Sequence, residues 1–120
     1  DSQVLSASGM TAEGKISLAS PLANPMSGPD DFTVEVALLS RRIVLEASSD
    51  SSIGGHFIVL HTPDVIQTIR GVQIKGFGQQ GNLGRYPIHF HMCDNVDGSV
   101  VSHNVILNSN QRCLVVHGTN

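Results

Sequence analysis

From Thr68 onward the chain is cut into short apolar runs: Thr68 to Ile69, Val72 to Ile74, Ile88 to Phe90, Ser99 to Val101, Val105 to Leu107 and Leu114 to Val116. Gly, Asn, Asp or Ser turns separate them. No window of about eleven residues carries a helical period. A chain punctuated this way cannot build helix layers. It can form a β-sandwich, a β-barrel or a β-solenoid. The aliphatic content agrees: 13 Val and 9 Ile stand against 6 Ala. Branching at Cβ suits a pleated strand and restricts a helix.

Self-comparison favours the solenoid. Val72-Gln-Ile-Lys-Gly-Phe77 aligns over Val105-Ile-Leu-Asn-Ser-Asn110. Arg85-Tyr-Pro-Ile-His-Phe-His91 aligns over Arg112-Cys-Leu-Val-Val-His117 with one inserted residue. Each unit reads apolar-x-apolar, polar turn, Arg, then an apolar strand ending in His. Stacked coils would bring equivalent positions to about 4.8 Å from one another. Asn104, Asn108 and Asn110 sit where coil turns are expected, and stacked Asn amides can satisfy turn backbone there. A sandwich with similar hairpins is the competing architecture.

The first third reads differently. Residues 1–31 are polar and turn-rich, with small apolar patches around Val4-Leu5 and Ile16–Leu18. Three prolines within Pro21 to Pro29 exclude a helix interior and a central strand. Asp30 and Asp31 look solvated. Phe32, Val34, Val36 and Leu38 then alternate, the pattern of a half-buried strand. Arg41 to Leu45 and Phe57 to Leu60 read as further strands. We therefore expect an irregular flank, or the end of a preceding domain, over 1–31 and parallel β-helix coils over 32–120. Neither end reads as a natural boundary: Asp1-Ser-Gln-Val lacks the basic and apolar segments of a leader, and the chain stops soon after an apolar strand.

No run approaches the roughly 18 apolar residues of a membrane helix. The formal charge is −3, from 7 basic and 10 acidic residues, and the basic ones are scattered. That excludes the concentrated basic stripe of a nucleic-acid-binding surface. Cys93 and Cys113 permit one disulfide without requiring it.

The chemistry gathers on histidine, of which there are 6. His89 and His91 lie two apart in a strand, so both imidazoles share one face. The aligned units put His117 beside His91. His56 precedes Phe57 as His89 precedes Phe90, which suggests a neighbouring coil. Arg85 stands just upstream, Asp94 and Asp97 just downstream. Imidazole can serve as acid or base near neutrality. Arginine can grip a carboxylate through two parallel N–H bonds. Imidazole with carboxylate can hold a divalent ion. His89, His91, His117 and Arg85 are the candidate catalytic or ligand-gripping set. Asp94, Asp97 and His56 are the candidate cation ligands. A purely structural use of the histidines, bonding turn carbonyls, remains the alternative.

Other constellations fail on spacing. The histidine pair lacks the Gly offset and following Glu of a cupin metal site. No Gly-x-Ser-x-Gly elbow is present. Gly76-Phe-Gly-Gln-Gln-Gly81 lacks the Lys-Ser/Thr of a phosphate loop and reads as a turn.

Four segments carry a family resemblance. Val34-Glu-Val-Ala-Leu-Leu-Ser-Arg-Arg-Ile-Val44, Gly54-Gly-His56, Gly78-Gln-Gln-Gly-Asn-Leu-Gly-Arg-Tyr-Pro-Ile-His-Phe-His-Met-Cys93 and Arg112-Cys-Leu-Val-Val-His-Gly-Thr-Asn120 occur in order. Together they resemble the G8-domain, parallel β-helix proteins, a family that includes hyaluronan-binding and hyaluronan-degrading members and the fibrocystins. The resemblance implies a right-handed parallel β-helix, uncapped here, within a larger extracellular or cell-surface protein. It implies an acidic polysaccharide as partner, with hyaluronan depolymerisation in one branch and calcium as the implied cation. It equally implies a second outcome, a non-catalytic structural segment of a fibrocystin-like surface protein or filament. In that case the partners are neighbouring segments of a longer chain, or other chains in an assembly. Membrane attachment would come only through parts outside this chain.

Overall fold

The computed structural model describes residues 3–24, 28–29, 34–49 and 53–120. Asp30, Asp31 and Phe32 lie outside the described residues. The chain divides into two compact units, Asp1–Ala37 and Leu38–Asn120. The described residues contain β-strands and no helix.

The first unit holds an antiparallel hairpin of β1 (Ala7–Met10) and β2 (Ile16–Leu18). Its turn closes by bonds from Thr11 N to Lys15 O (2.9 Å) and Gly14 N to Thr11 O (3.0 Å). Gln3 ties the flanks, donating to Asn24 O and accepting from Ala23 N, each at 2.9 Å. The expected irregular flank is thus regular over part of its length. Ala7-Ser-Gly-Met10 shows no alternation, so its pairing comes from the turn and not from an apolar face.

The second unit contains β3 (Ile43–Glu46), β4 (Ile58–Val59), β5 (Thr68–Arg70), β6 (Val72–Lys75), β7 (Ile88–Asp94), β8 (Val100–Ser102), β9 (Val105–Leu107) and β10 (Leu114–Thr119). Every pairing among them is parallel. The orders are β3-β6-β9, β4-β7-β10 and β5-β8. The chain therefore visits three sheets in rotation, and an antiparallel sandwich is excluded. Parallel pairing needs long connections, and here each connection is the path through the other two sheets.

Side chains clamp successive passes together. Asn104 accepts from Val72 N at 3.0 Å across 32 residues and donates to Ile69 O at 2.8 Å. Ser99 Oγ accepts from Gln67 N at 3.1 Å, also across 32 residues. Asn110 donates to Gly76 O at 3.2 Å. Gly54 sits where two passes touch, and a Cβ there would collide with the carbonyl oxygens of Gly76 and Gly78. Gly78 itself takes φ 92°, a left-handed conformation that glycine adopts without strain.

The core is small and lies between the sheets. Val59, Ile74, Ile88, Phe90 and Cys93 are buried, with Ile69, Val72, Phe77, Val96 and Ile106 packed against them. Cys93 Sγ donates to Val59 O at 3.2 Å. Cys113 is exposed, and both thiols are free, so the optional disulfide is absent.

Several sequence expectations shift. Residues 34–38 form no strand, and Val36 and Leu38 are largely exposed. An alternating stripe becomes a strand only where a neighbour completes its ladder and a core covers one face. The expected strand Phe57 to Leu60 contracts to Ile58–Val59, with Phe57 and Leu60 exposed. Gln73, not Val72, pairs with Val105. Asn104 sets this register by taking the Val72 N–H for its own side chain.

Candidate functional site

Strand β7 carries the site. Alternation sends Ile88 and Phe90 into the core and leaves His89 and His91 on the opposite face. The ladder to β10 pairs His91 with His117 and His89 with Val115. The register read from the two aligned Arg-to-His units is therefore the observed one. Ring centroids fall 4.9 Å apart for His89 and His91, and 5.5 Å apart for the stacked His91 and His117. The result is a run of imidazoles crossing neighbouring strands.

The three differ in surroundings. His89 is buried at 4% exposure, with the Tyr86 ring edge-on at 4.9 Å. Its Nδ1 donates to Gly84 O at 3.0 Å, which leaves Nε2 as the lone-pair nitrogen. Burial holds its pKa below the ordinary 6.5. The Gly84 bond opposes this, and the nearby His91, His117 and His56 reinforce it. His91 is half-buried and its Nδ1 is shielded without a hydrogen-bond partner among the described residues. His117 is exposed.

Arg85 is exposed at one end of this run. It donates from Nη1 to His56 Nε2 at 2.6 Å. Backbone bonds make this meeting possible: Phe57 N donates to Tyr86 O (3.4 Å) and His89 N to Phe57 O (2.9 Å). The expected equivalence of His56 with His89 does not hold. Val59 pairs with Phe90, so segment 56–59 is displaced by two residues. The displacement keeps the same face, and His56 reaches Arg85 in place of a stacked imidazole.

The candidate cation ligands separate. Asp94 and Asp97 line a depression of about 440 Å³ together with His61 and Asp64. Asp94 Oδ2 lies 3.6 Å from His61 Nδ1, which also approaches Cys93 O at 3.2 Å. His56 is engaged by a guanidinium, a poor neighbour for a metal cation. Among the described residues no three His, Cys, Asp or Glu side chains are placed to hold a metal ion. Asp94 and Asp97 thus share one depression while His56 lies elsewhere, against Arg85.

Sequence reasoning missed His61, Asp64 and Tyr86. The signal for His61 was available: it sits 32 residues before Cys93, the same interval that Asn104 and Ser99 span.

A family model described as CEMIP beta-helix matches residues 52–120. Protein rliB of Dictyostelium discoideum is 37% identical over 108 residues, covering 88% of this chain and 9% of that protein. A G8 domain-containing protein of the same organism is 38% identical over 112 residues, covering 90% of this chain and 10% of its own length. Human cell surface hyaluronidase CEMIP2 is 32% identical over 111 residues, covering 75% of this chain and 8% of that protein. The chain thus spans a tenth or less of these relatives. No solved structure matches it significantly. The family model covers the three-sheet unit from before β4 to the end of β10, and the relatives cover most of the chain, so this chain belongs to the G8-related CEMIP β-helix family.

Proposed function

We propose that this chain is a segment of a right-handed parallel β-helix in a longer secreted or surface protein, and that its histidine face binds an acidic polysaccharide of the hyaluronan type. The observation that carries the reading is the exposed Arg85 guanidinium braced on His56 Nε2, at the head of the His89, His91 and His117 run. One N–H of Arg85 is spent on His56, which fixes the plane of the fork. Its other donors bond no described residue and are available to a carboxylate. His91 and His117 add ring nitrogens along the same face. His89 is too buried to touch a polymer and serves to position its neighbours. Relatives named as cell surface hyaluronidases support hyaluronan as the polymer, and support a surface setting.

Depolymerisation is the further step of the same reading. His91 and His117 are the imidazoles near enough to solvent to exchange a proton with a bound sugar. A second reading, a non-catalytic structural segment, is favoured by strands at open sheet edges. Ile43 on β3 and Val116 on β10 are 57% and 59% exposed. Such edges suit stacking on further coils or other chains.

The test is incubation with size-defined hyaluronan, with calcium and with chelator, read by polymer length and by binding. Arg85→Ala should weaken binding by about five- to tenfold, as expected for an exposed bidentate contact of roughly 1 kcal/mol or slightly more. Added salt should weaken it further. Shortening of the polymer would establish the depolymerase. Binding without shortening would leave a recognition segment. Absence of both, on folded protein, would favour the structural reading.

A further inference from the structure

A second cavity, lined in part by the loop that leads to Arg85, differs in chemistry. It measures about 140 Å³ and is walled by the amides of Gln79, Gln80, Asn82 and Asn110 over a floor at Gly54 and Gly78. Among the described residues no charged side chain lines it. Gln79 Nε2 donates to Gly54 O at 2.9 Å, and Asn110 Nδ2 donates to Gly76 O at 3.2 Å. Those bonds fix two amides with their carbonyls still able to accept. Among the described residues, the side-chain amides of Gln80 and Asn82 have no hydrogen-bond partner. Four amides therefore offer both donors and acceptors to one small space.

The two features share their supports. Gln79 N donates to Arg85 O at 2.9 Å, so the loop that lines the pocket closes at Arg85. Gly54, on the pocket floor, is two residues from His56, which braces Arg85. A cation and an amide pocket thus belong to one hydrogen-bonded loop.

We propose that the amide pocket is a subsite for an uncharged sugar ring, bound through hydroxyl or acetamido groups next to the carboxylate held by Arg85. The pair of subsites reads a polymer in which acidic and uncharged rings alternate, and discriminates against one that is acidic at every ring. The inference rests on the polysaccharide reading above and adds the second subsite. The volume admits one ring edge and no more.

The experiment compares a hyaluronan octasaccharide with an oligogalacturonate of the same length, acidic at every ring. Binding is measured for the wild type, for the double variant Gln80→Ala with Asn82→Ala, and for Arg85→Ala, each with unchanged β-type circular dichroism. The double variant should weaken hyaluronan binding about tenfold, the loss of two or more hydrogen bonds, and leave oligogalacturonate within about twofold. Arg85→Ala should weaken both. The side-chain amide resonances of Gln80 and Asn82 should move with hyaluronan alone. Unchanged hyaluronan binding by the double variant, or equal loss of both ligands, overturns the subsite and leaves the polysaccharide reading standing. A wild type that binds neither probe overturns both.

Discussion

His89 ties stability to pH, and the sign follows from its burial. Its folded pKa lies below the ordinary 6.5, because burial penalises the imidazolium. The unfolded chain therefore binds a proton that the folded chain resists. As pH falls below the unfolded value, the folded state loses stability, until the folded pKa is passed. One proton sets the steepest slope, about 1.4 kcal/mol per pH unit. His89→Asn removes this titration and retains an amide N–H in the place of Nδ1 for Gly84 O. It also removes ring contacts with Tyr86 and His91, worth about 1–2 kcal/mol together. At pH about 8 the wild type should be the more stable by that amount. With a urea m-value of about 1–2 kcal/mol/M, the midpoints should differ by roughly 1 M. Urea unfolding repeated down to pH about 5 should show the gap narrowing, by at most about 1.4 kcal/mol per unit. A gap that stays constant or widens on acidification refutes the assignment of His89 as a buried neutral imidazole.

Three further outcomes are expected. Asn104→Ala should cost about 1–3 kcal/mol in chemical denaturation, because Val72 N–H and Ile69 C=O both lose their partner, and Asn104→Asp, which keeps only the acceptor, should fall between it and the wild type. Gly54→Ala should lower the unfolding midpoint by the equivalent of about 1–3 kcal/mol or more, since its Cβ meets two carbonyl oxygens and neither belongs to a flexible side chain. In thiol labelling of the native chain, Cys113 should react at once and Cys93 only on unfolding; equal rates would contradict the burial of Cys93 beside Val59.

The sequence made some of this legible for identifiable reasons. Strand alternation and the repeated Arg-to-His unit were enough to put His89, His91 and His117 together, because parallel register carries equivalent positions onto one another. The same reasoning failed for His56. Its register depends on which residues of β4 meet β7, and Gly54-Gly55-His56 resembles no other unit closely enough to fix that. Residues 34–38 show the opposite failure: the pattern is present, and the described structure supplies no ladder partner. The division between Asp94 with Asp97 and His56 was invisible because closeness in sequence to a shared strand says nothing about which end a loop occupies. The amide pocket draws on three segments far apart in the chain, and glutamine and asparagine carry no periodic signal.

The rotation of the chain through three sheets has a consequence for how this surface can change over time. Strand pairing joins each pass only to the pass before and the pass after it, while single side chains reach further, as Arg41 does in donating to His103 O across 62 residues. A loop lengthened at one corner leaves the ladders at the other two undisturbed. A whole added pass would extend the column of imidazoles by one strand spacing, about 4.8 Å, without altering the residues already in it. The reach of such a face along a polymer is therefore counted in passes, and it can grow or shrink by duplication rather than by redesign.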